Sequence, residues 1–390
     1  MSKAYKADII RQLLELFSSS SESMSSDAPA TVSDAAVKQL RNGSKRRRPT
    51  CKKDAPWQRM LDECVKGENE IADANSRDGK YFRRRFRMPY DLFCAFIKVV
   101  LDEAWFPKYG ISGNGPLDCT KNRGASLQVK VLSVLRVLGR GVVFDECFDG
   151  SGCGEESIRV FFHAFTAKCC QSLFQSVVKP PRTIMEISEA SRVYQMMGVG
   201  AAVGSTDCTH IELGNCPNNF RISCSGKSGK PTLSYSLTCS HQRKIFHVTS
   251  GFAGSKNDKH ISRLDSFITA VGSDNIYKNF EWTLDNTETT TKQEKGVFLI
   301  CDGGYHKWPH MICGLKVIFV VLLIAHHRIL QNTSDPWTTL WSLQMESVRK
   351  DVECTFGILK CRFRILRNPV PFVSDPHLVL ITPQVCSHVV

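Results

Sequence analysis

The chain is long, moderately apolar and basic. Its 390 residues are 42% hydrophobic, which leaves room for two domains and a tail and excludes a simple linker. Lys and Arg number 51 against 38 Asp and Glu, for a formal net charge of +13, so nucleic acid is the first partner to consider. The sustained apolar run at 317–325 is shorter than the roughly 20 residues that span a bilayer. No membrane anchor is therefore expected.

Cysteine usage indicates reduced thiols. The 17 cysteines are scattered, their number is odd, and no two stand in the C-x-x-C spacing of a zinc knuckle or a redox centre. This pattern is typical of an intracellular protein. The N-terminal sequence MSKAYKADIIRQLLELF also carries charges through its apolar part, unlike a secretory signal.

Residues 1–55 are predicted to form a disordered tail. Ser, Ala and Asp dominate 18–34, and such a composition cannot bury enough apolar surface to offset the entropy of ordering. The tail ends in a basic cluster that is typical of a nuclear-import signal or a phosphate-binding arm, and equally of a solvated charge run. Its residues are Lys45, Arg46, Arg47 and Arg48, followed by Lys52 and Lys53.

Residues 56–190 are predicted to form a helical domain. Apolar residues recur at helical spacing after Pro89, over 127–138 and over 158–165. The last two segments flank a Gly-containing stretch, which is compatible with a DNA-binding helix-turn-helix. An ordinary helical bundle would show the same spacing.

The region from about residue 191 to 370 shows a mixed α/β pattern. We expect strands at 203–206, 232–238, 244–250 and 297–300, a helix at 261–271, a polar surface loop at 272–294, and a terminal helix at 342–366. The strands 232–238 and 244–250 should form a hairpin through 239–243. The terminal helix carries an apolar stripe at three- and four-residue steps.

Three carboxylates stand at positions where such a fold could gather them. Asp207 and Asp302 follow predicted strands, and Glu353 lies on the terminal helix. Carboxylate oxygens bind Mg²⁺ or Mn²⁺, and two such ions about 3.5–4 Å apart can activate water and stabilise a leaving oxygen in phosphodiester cleavage. Each acid alone is weak support, because Asp is common in turns and Glu on an amphipathic helix usually faces solvent.

Several ordered sequence blocks carry a family resemblance. They resemble the DDE nuclease of Harbinger-type transposases, in particular the plant-transposon-protein branch, over about 81–369. The blocks are TDCTHI (206–211), GSKND (254–258), CDGGY (301–305) and VRKDVECTFGILKCRFRIL (348–366), with FRRRFRMPYDLF (82–93) and LRVLGRGVVFDE (135–146) upstream.

The resemblance implies an RNase H-like nuclease core, a mixed sheet flanked by helices, over 191–370. It implies two Mg²⁺ or Mn²⁺ ions, with Asp207, Asp302 and Glu353 matching the family's catalytic, metal-binding acids and Asp258 a further, supporting acid. It also implies cut-and-paste movement of DNA in the nucleus, a separate Myb-like DNA-binding partner and a homo-oligomer. In this context the basic cluster at 45–48 is interpreted as a nuclear-import signal.

Basic residues outside the tail are predicted to contact DNA backbone phosphates, although any one of them is more often a solvated charge. These basic residues are Arg83, Arg84, Arg85, Lys227, Lys230, Lys360, Arg362 and Arg364.

His210 lies three residues after Asp207 and could approach a metal or a phosphate. A structural role, with a hydrogen bond beside the strand, is favoured instead.

Two places depart from the family pattern. The apolar stretch within 317–340 stands where similar proteins have a shorter, more polar connection, and 371–390 replaces an expected helix that bears a Leu-His-Asn block. Both departures bear on the position of Glu353. The main hypothesis is a metal-dependent DNA endonuclease and transposase. The alternatives are a transposase-derived DNA- or protein-binding protein that no longer cuts, and an RNase H-like nuclease acting on RNA.

Overall fold

The computed structural model describes residues 55–117, 121, 123–226, 229–285, 291–314 and 336–369. Residues 284–285, 291–292 and 336–339 are described for the backbone alone. The predicted tail, apart from Ala55, lies outside the described residues, as do the apolar stretch 317–335 and the C-terminal segment 371–390. Within the described residues, no helix is long and apolar enough to cross a membrane.

The described chain divides into two compact units. One comprises 55–137 and 142–162, and the other comprises 138–141 and 163–369. The first unit is helical, as its periodicity predicts. Its helices are α1 (Pro56–Lys66), α2 (Arg77–Phe86), α3 (Tyr90–Asp102), α4 (Leu127–Arg140), α5 (Phe148–Ser151) and α6 (Glu155–Val177), of which α4 and α6 end in the second unit.

Aromatic side chains form the core of the helical unit. Phe82 and Phe86 are fully buried on α2, and the Phe86 ring meets Trp57 of α1 edge-on at 5.3 Å between centroids. Phe82 contacts Phe93 of α3 at 5.8 Å. Edge-on aromatic pairs of this kind add to the free energy gained by burial.

The segment between α4 and α6 is longer than a helix-turn-helix turn. Residues 141–154 contain a 3₁₀ turn, Asp145–Cys147, and the short helix α5, whereas a helix-turn-helix connects its helices through three or four residues. This connection therefore does not support the predicted helix-turn-helix.

The second unit is a mixed α/β structure. Its helices are α7 (Ile184–Met196), α8 (Asn218–Cys224), α9 (Asp258–Leu264), α10 (Ser266–Ser273), α11 (Asn275–Lys278) and α12 (Pro336–Arg362). Its strands are β1 (Ala202–Glu212), β2 (Thr232–Cys239), β3 (Ile245–Val248), β4 (Phe252–Ala253), β5 (Glu281–Asp285), β6 (Thr291–Lys295), β7 (Phe298–Ile300) and β8 (Met311–Ile312).

The main sheet mixes antiparallel and parallel pairing. Its strand order is β3-β2-β1-β7-β8, with β4 also paired to β2, and β5 and β6 form a separate hairpin. Strands β1, β2 and β3 pair antiparallel, whereas β1, β7 and β8 run parallel. Strand β1 is therefore central, with an antiparallel neighbour on one side and a parallel neighbour on the other.

Helices cover both faces of this sheet. Because successive strand residues point to opposite faces, Leu299 of β7 joins one apolar cluster, with Phe267 and Ile268 of α10. Its neighbour Ile300 joins a second cluster, with Met345 and Val348 of α12. Helix α7 contributes to both clusters. Helix α12 also contacts β1, the strand that carries Asp207.

Three sequence predictions about this unit are wrong in detail. The first strand does not end at residue 206, because β1 continues to Glu212 in eight-residue antiparallel register with β2. The predicted helix 261–271 is two helices, α9 and α10, separated at Asp265. The predicted loop 272–294 contains α11 and most of the β5–β6 hairpin. The predicted hairpin around 239–243 is confirmed.

No disulfide joins any of the fourteen cysteines that the structure describes. Burial raises the pKa of several of them, including Cys301 and Cys208 in the second unit, because the thiolate is poorly solvated there.

Candidate functional site

Asp207 lies in the middle of strand β1 rather than at its end. The strand continues to Glu212, and Asp207 pairs with Leu237 of β2. Only 20% of its side chain is exposed, and its Oδ1 accepts a hydrogen bond of 2.8 Å from the backbone N–H of Cys208. Asp207 is therefore a partly buried carboxylate held by the sheet itself.

Asp302 lies next to Asp207 through the parallel pairing of β1 and β7. Ser205 of β1 is in register with Ile300 of β7, and each acid follows its member of this pair by two residues. Since adjacent strands lie about 4.8 Å apart, this register brings the two acids to neighbouring positions. Asp302 itself is exposed.

Asp258 is the first residue of helix α9. Asn257 precedes it as the N-cap, and its side chain accepts a hydrogen bond of 2.8 Å from the backbone N–H of His260. The chain reaches this helix through Gly254, where an added Cβ would lie 2.0 Å from Thr232 Oγ1. The close packing of that turn on β2 sets where α9 begins.

Glu353 belongs to α12 and is joined to Asp207 through an arginine. The Arg349 Nη2 lies 2.7 Å from Glu353 Oε1, one helical turn away, and its Nη1 lies 3.4 Å from Asp207 Oδ2. The Nε of the same guanidinium lies 3.2 Å from Glu346 Oε2. One cation therefore contacts three carboxylates, two from the helix and one from the strand.

The pKa of Asp207 reports the charge balance of this site. The pKa is raised to about 6, mainly by burial and to a smaller extent by the charges of Asp258 and Asp302, while the Cys208 hydrogen bond and Arg349 oppose the rise. The electrostatic influence of Asp258 and Asp302 means that both lie near Asp207. Arg349 does not restore the ordinary pKa of this carboxyl, because the loss of solvation on burial is the largest effect.

The residues at this site fit a divalent cation by their chemistry. Carboxylate oxygens are the ligands that Mg²⁺ and Mn²⁺ prefer, and the charges of two further acids, Asp258 and Asp302, act on Asp207. In the described residues, however, no three Asp, Glu, His or Cys side chains stand close enough together to hold one ion. Instead, Arg349 contacts Asp207 and Glu353.

Arg349 was missed by the sequence analysis. It lies four residues before Glu353 and three after Glu346, and residues at these spacings are neighbours on a helix surface. This spacing, read from the sequence, predicts the two helical ion pairs. The third ion pair joins Arg349 to Asp207, which lies 142 residues earlier in the sequence. This pair depends on where α12 lies on the sheet.

Two predicted residues beside the acids make structural contacts. Lys360 of α12 donates from Nζ to Thr209 Oγ1 at 2.8 Å and to the His210 carbonyl at 3.3 Å, and burial lowers its pKa. The Nδ1 of His210 lies 3.1 Å from Thr232 Oγ1 across the β1–β2 pair. This hydrogen bond matches the structural role favoured for His210, although the side chain is exposed.

The other predicted DNA contacts are spread over both units. Arg83 and Arg84 are exposed on α2, whereas Arg85 bonds to the Tyr81 hydroxyl at 2.6 Å and lies 5.8 Å from the centroid of the Trp57 ring. The remaining positions are as follows: Lys230 pairs with Glu212 at 3.1 Å, Arg362 is the last residue of α12, Arg364 begins a 3₁₀ turn, and Lys227 and the import cluster 45–48 lie outside the described residues.

Comparison with known proteins identifies the family. Residues 177–386, more than half of the chain, match a family described as plant transposon protein. No curated protein and no solved structure matches the chain. The matched region contains the whole main sheet, helix α12 and all the acidic residues described above. The chain therefore belongs to the plant transposon protein family.

Proposed function

We propose that this protein is a metal-dependent DNA endonuclease and transposase of the Harbinger type. The observation that carries the proposal is that Asp207 of β1 and Glu353 of α12 are joined through Arg349, with two further acids near Asp207. The negative charges of Asp258 and Asp302 raise the pKa of Asp207. The guanidinium of Arg349 forms ion pairs with both Asp207 and Glu353. These acids come from four separate segments of the chain, within a family of transposon proteins.

The fold of the second unit supports an RNase H-like core for this activity. The sheet is mixed and helices lie on both faces. Asp207 lies on β1, and Asp302 lies two residues after the end of the parallel neighbour β7. An acid on a central strand is held rigidly, as catalytic geometry requires. Glu353 approaches from a helix that packs on the same sheet.

Asp207, Asp302 and Glu353 would hold two Mg²⁺ or Mn²⁺ ions, with Asp258 in a supporting position. When bound, such ions lower the pKa of a water molecule and stabilise the leaving oxygen of a phosphodiester. The chain's own contribution is to position the carboxylates and to keep Asp207 largely away from bulk water, since 20% of its side chain is exposed. Cleavage at the transposon ends would leave 3′-hydroxyls that attack target DNA.

Positive side chains would hold the DNA. Arg83 and Arg84 are exposed on α2 and are suited to phosphate contact. Lys360, Arg362 and Arg364 would act near the acids. A Myb-like partner, self-association and nuclear import through 45–48 complete the proposal.

A second candidate is a transposase-derived protein that binds DNA or protein without cutting it. Arg349 favours this candidate, because its guanidinium is already paired with both Asp207 and Glu353. These ion pairs compete with other cations for the same carboxylates. If they stay so paired in the presence of metal and DNA, the ancestral site would be closed.

Cleavage of labelled duplex DNA tests the two candidates. The full-length chain, with any Myb-like partner encoded nearby, is incubated with the transposon ends and Mg²⁺ or Mn²⁺. We expect metal-dependent nicking that is lost in Asp302→Asn and Glu353→Gln but kept in Glu189→Gln, an exposed acid on α7. Folded protein that binds the DNA and never cuts it would support the second candidate instead.

A further inference from the structure

Arg349 contacts the acid site and is mostly buried. Only 14% of its side chain is exposed, and its three nitrogens lie 3.4, 2.7 and 3.2 Å from Asp207, Glu353 and Glu346. The guanidinium thus spans the gap between a strand acid and a helix acid.

The contacts of Arg349 divide into two kinds. Asp207 and Glu353 are the carboxylates to which the proposed function assigns the metal ions. Glu346 has no such assignment and lies one turn earlier on α12. An arginine that lost Asp207 and Glu353 would therefore still have a charged partner and would not be left buried and unpaired, which would be costly.

We propose that Arg349 serves as a built-in counter-ion that occupies the acid site when metal is absent and is displaced from Asp207 and Glu353 when metal binds. The inference rests on the proposed function, because it requires that these carboxylates bind metal. It goes beyond that function by giving Arg349 a role that the carboxylates alone do not define.

Electrostatics explain why such a counter-ion is needed and why it yields. Without a cation, Asp207 would face the like charges of Asp258 and Asp302 in a partly buried position. The guanidinium stays protonated under all ordinary conditions and can bridge two carboxylates with its planar fork. A divalent ion carries twice the charge in a smaller volume, so it competes well for the same oxygens.

Metal binding measured without DNA tests the displacement. Mn²⁺ is titrated into the metal-free full-length chain, and free Mn²⁺ is followed by electron paramagnetic resonance. We expect Arg349→Gln to bind Mn²⁺ about tenfold more tightly than the natural chain, roughly the effect of removing one competing charge at this range. Lys350→Gln, which removes an exposed positive charge from the next position on α12, should leave the affinity within about twofold.

Thermal unfolding provides a second readout that does not need activity. In a chelator, Arg349→Gln should unfold at a lower temperature than the natural chain, because the carboxylates lose their counter-ion. Saturating Mn²⁺ should narrow or reverse this difference, since a ligand that binds the folded state stabilises it. Arg349→Lys keeps the positive charge but loses the planar fork of the guanidinium, so its unfolding temperature should lie between those of the natural chain and Arg349→Gln. This variant keeps the test valid if Arg349→Gln folds poorly.

The outcomes separate this inference from the proposed function. If the natural chain binds Mn²⁺ and Arg349→Gln binds it equally or more weakly, the counter-ion role is overturned while the metal site survives. If the natural chain, Arg349→Gln and Asp207→Asn all fail to bind Mn²⁺, the metal site of the proposed function is contradicted, and the counter-ion role is contradicted with it.

Discussion

The Nδ1 of His241 lies 2.6 Å from the Oδ2 of Asp351, and this pair joins the β2–β3 hairpin to helix α12. Two residues further along the helix, Glu353 takes part in the ion pairs with Arg349 on the side that meets β1. The helix is thus held to two adjacent strands by polar contacts on either side of its apolar stripe. The position of Glu353 depends on both.

The His241–Asp351 pair should contribute measurably to stability. Asp351 has 13% of its side chain exposed, and burial raises its pKa although His241 opposes the rise. Removing His241 would leave a largely buried carboxyl without its partner. We expect a coupling free energy of about 1–2 kcal/mol in a double-mutant cycle of His241→Ala and Asp351→Ala, measured by urea unfolding. A coupling near zero would contradict this role for the pair.

Asp207→Asn should stabilise the metal-free protein at neutral pH. The folded-state pKa of Asp207 is raised from 3.8 to about 6, so the folded protein binds more protons than the unfolded chain between these values. The contribution of Asp207 to the stability of the folded protein is therefore favourable at low pH and is lost as the pH rises through about 6. We expect the variant to be more stable by roughly 1–3 kcal/mol at pH 7.5.

The pH dependence makes this second prediction specific. The advantage of Asp207→Asn over the natural chain should shrink toward pH 4, where the natural carboxyl is protonated in the folded state. Asp302→Asn, at an exposed acid of the same site, should show a smaller change. Chemical unfolding in a chelator at both pH values checks this, and a variant that is less stable at pH 7.5 would disprove it.

Gly254→Ala should be strongly destabilising, whereas Gly357→Ala should not. A Cβ at 254 would lie 2.0 Å from Thr232 Oγ1 and 2.6 Å from the Cys224 carbonyl oxygen, so the turn before α9 must move. We expect a loss of about 1–3 kcal/mol. Gly357 lies within α12 with open space around it. Alanine at this position should raise the free energy of unfolding by about 0.5–1 kcal/mol. Unfolding midpoints of the two variants, measured side by side, check both signs.

Asp265→Ala should loosen the junction of α9 and α10. The fully buried carboxylate of Asp265 accepts hydrogen bonds from the backbone N–H groups of Phe267 and Ile268 at 2.9 and 3.1 Å. Alanine removes this N-cap, at a cost of about 2 kcal/mol. Asp265→Asn keeps an oxygen acceptor and should lose less. Equal losses in the two variants, measured by urea unfolding, would contradict the capping role.

The same aspartate explains why one helix was predicted where two exist. Residues 261–271 show a continuous apolar pattern, with Ile261, Phe267, Ile268 and Val271 all buried. Periodicity alone favours a single helix across Asp265. Asp is also a strong N-cap residue, and its extended backbone, with φ −77° and ψ 115°, starts a second helix instead. The signal was present in the sequence but was outweighed by periodicity.

The extent of β1 was underestimated for a different reason. After Thr206 the strand is polar, with Asp207, Thr209 and His210 in half-buried or exposed positions, and such residues resemble a turn. The register with β2, which continues to Glu212 opposite Thr232, supplies the hydrogen bonds that keep these residues extended. Pairing with a distant strand overrode the local signal.

The sequence by itself determined most of the local elements and the positions of the candidate acids. Apolar periodicity specified the helical first unit, the β2–β3 hairpin and helix α12, and the TDCTHI, CDGGY and VRKDVE blocks marked the acids, because residue type and local spacing are written in the chain. Only the tertiary structure decided that Arg349 contacts Asp207 at 3.4 Å across 142 residues. That contact depends on the register of β1 and on how α12 packs across the sheet, and long-range packing has no local periodicity from which to read it.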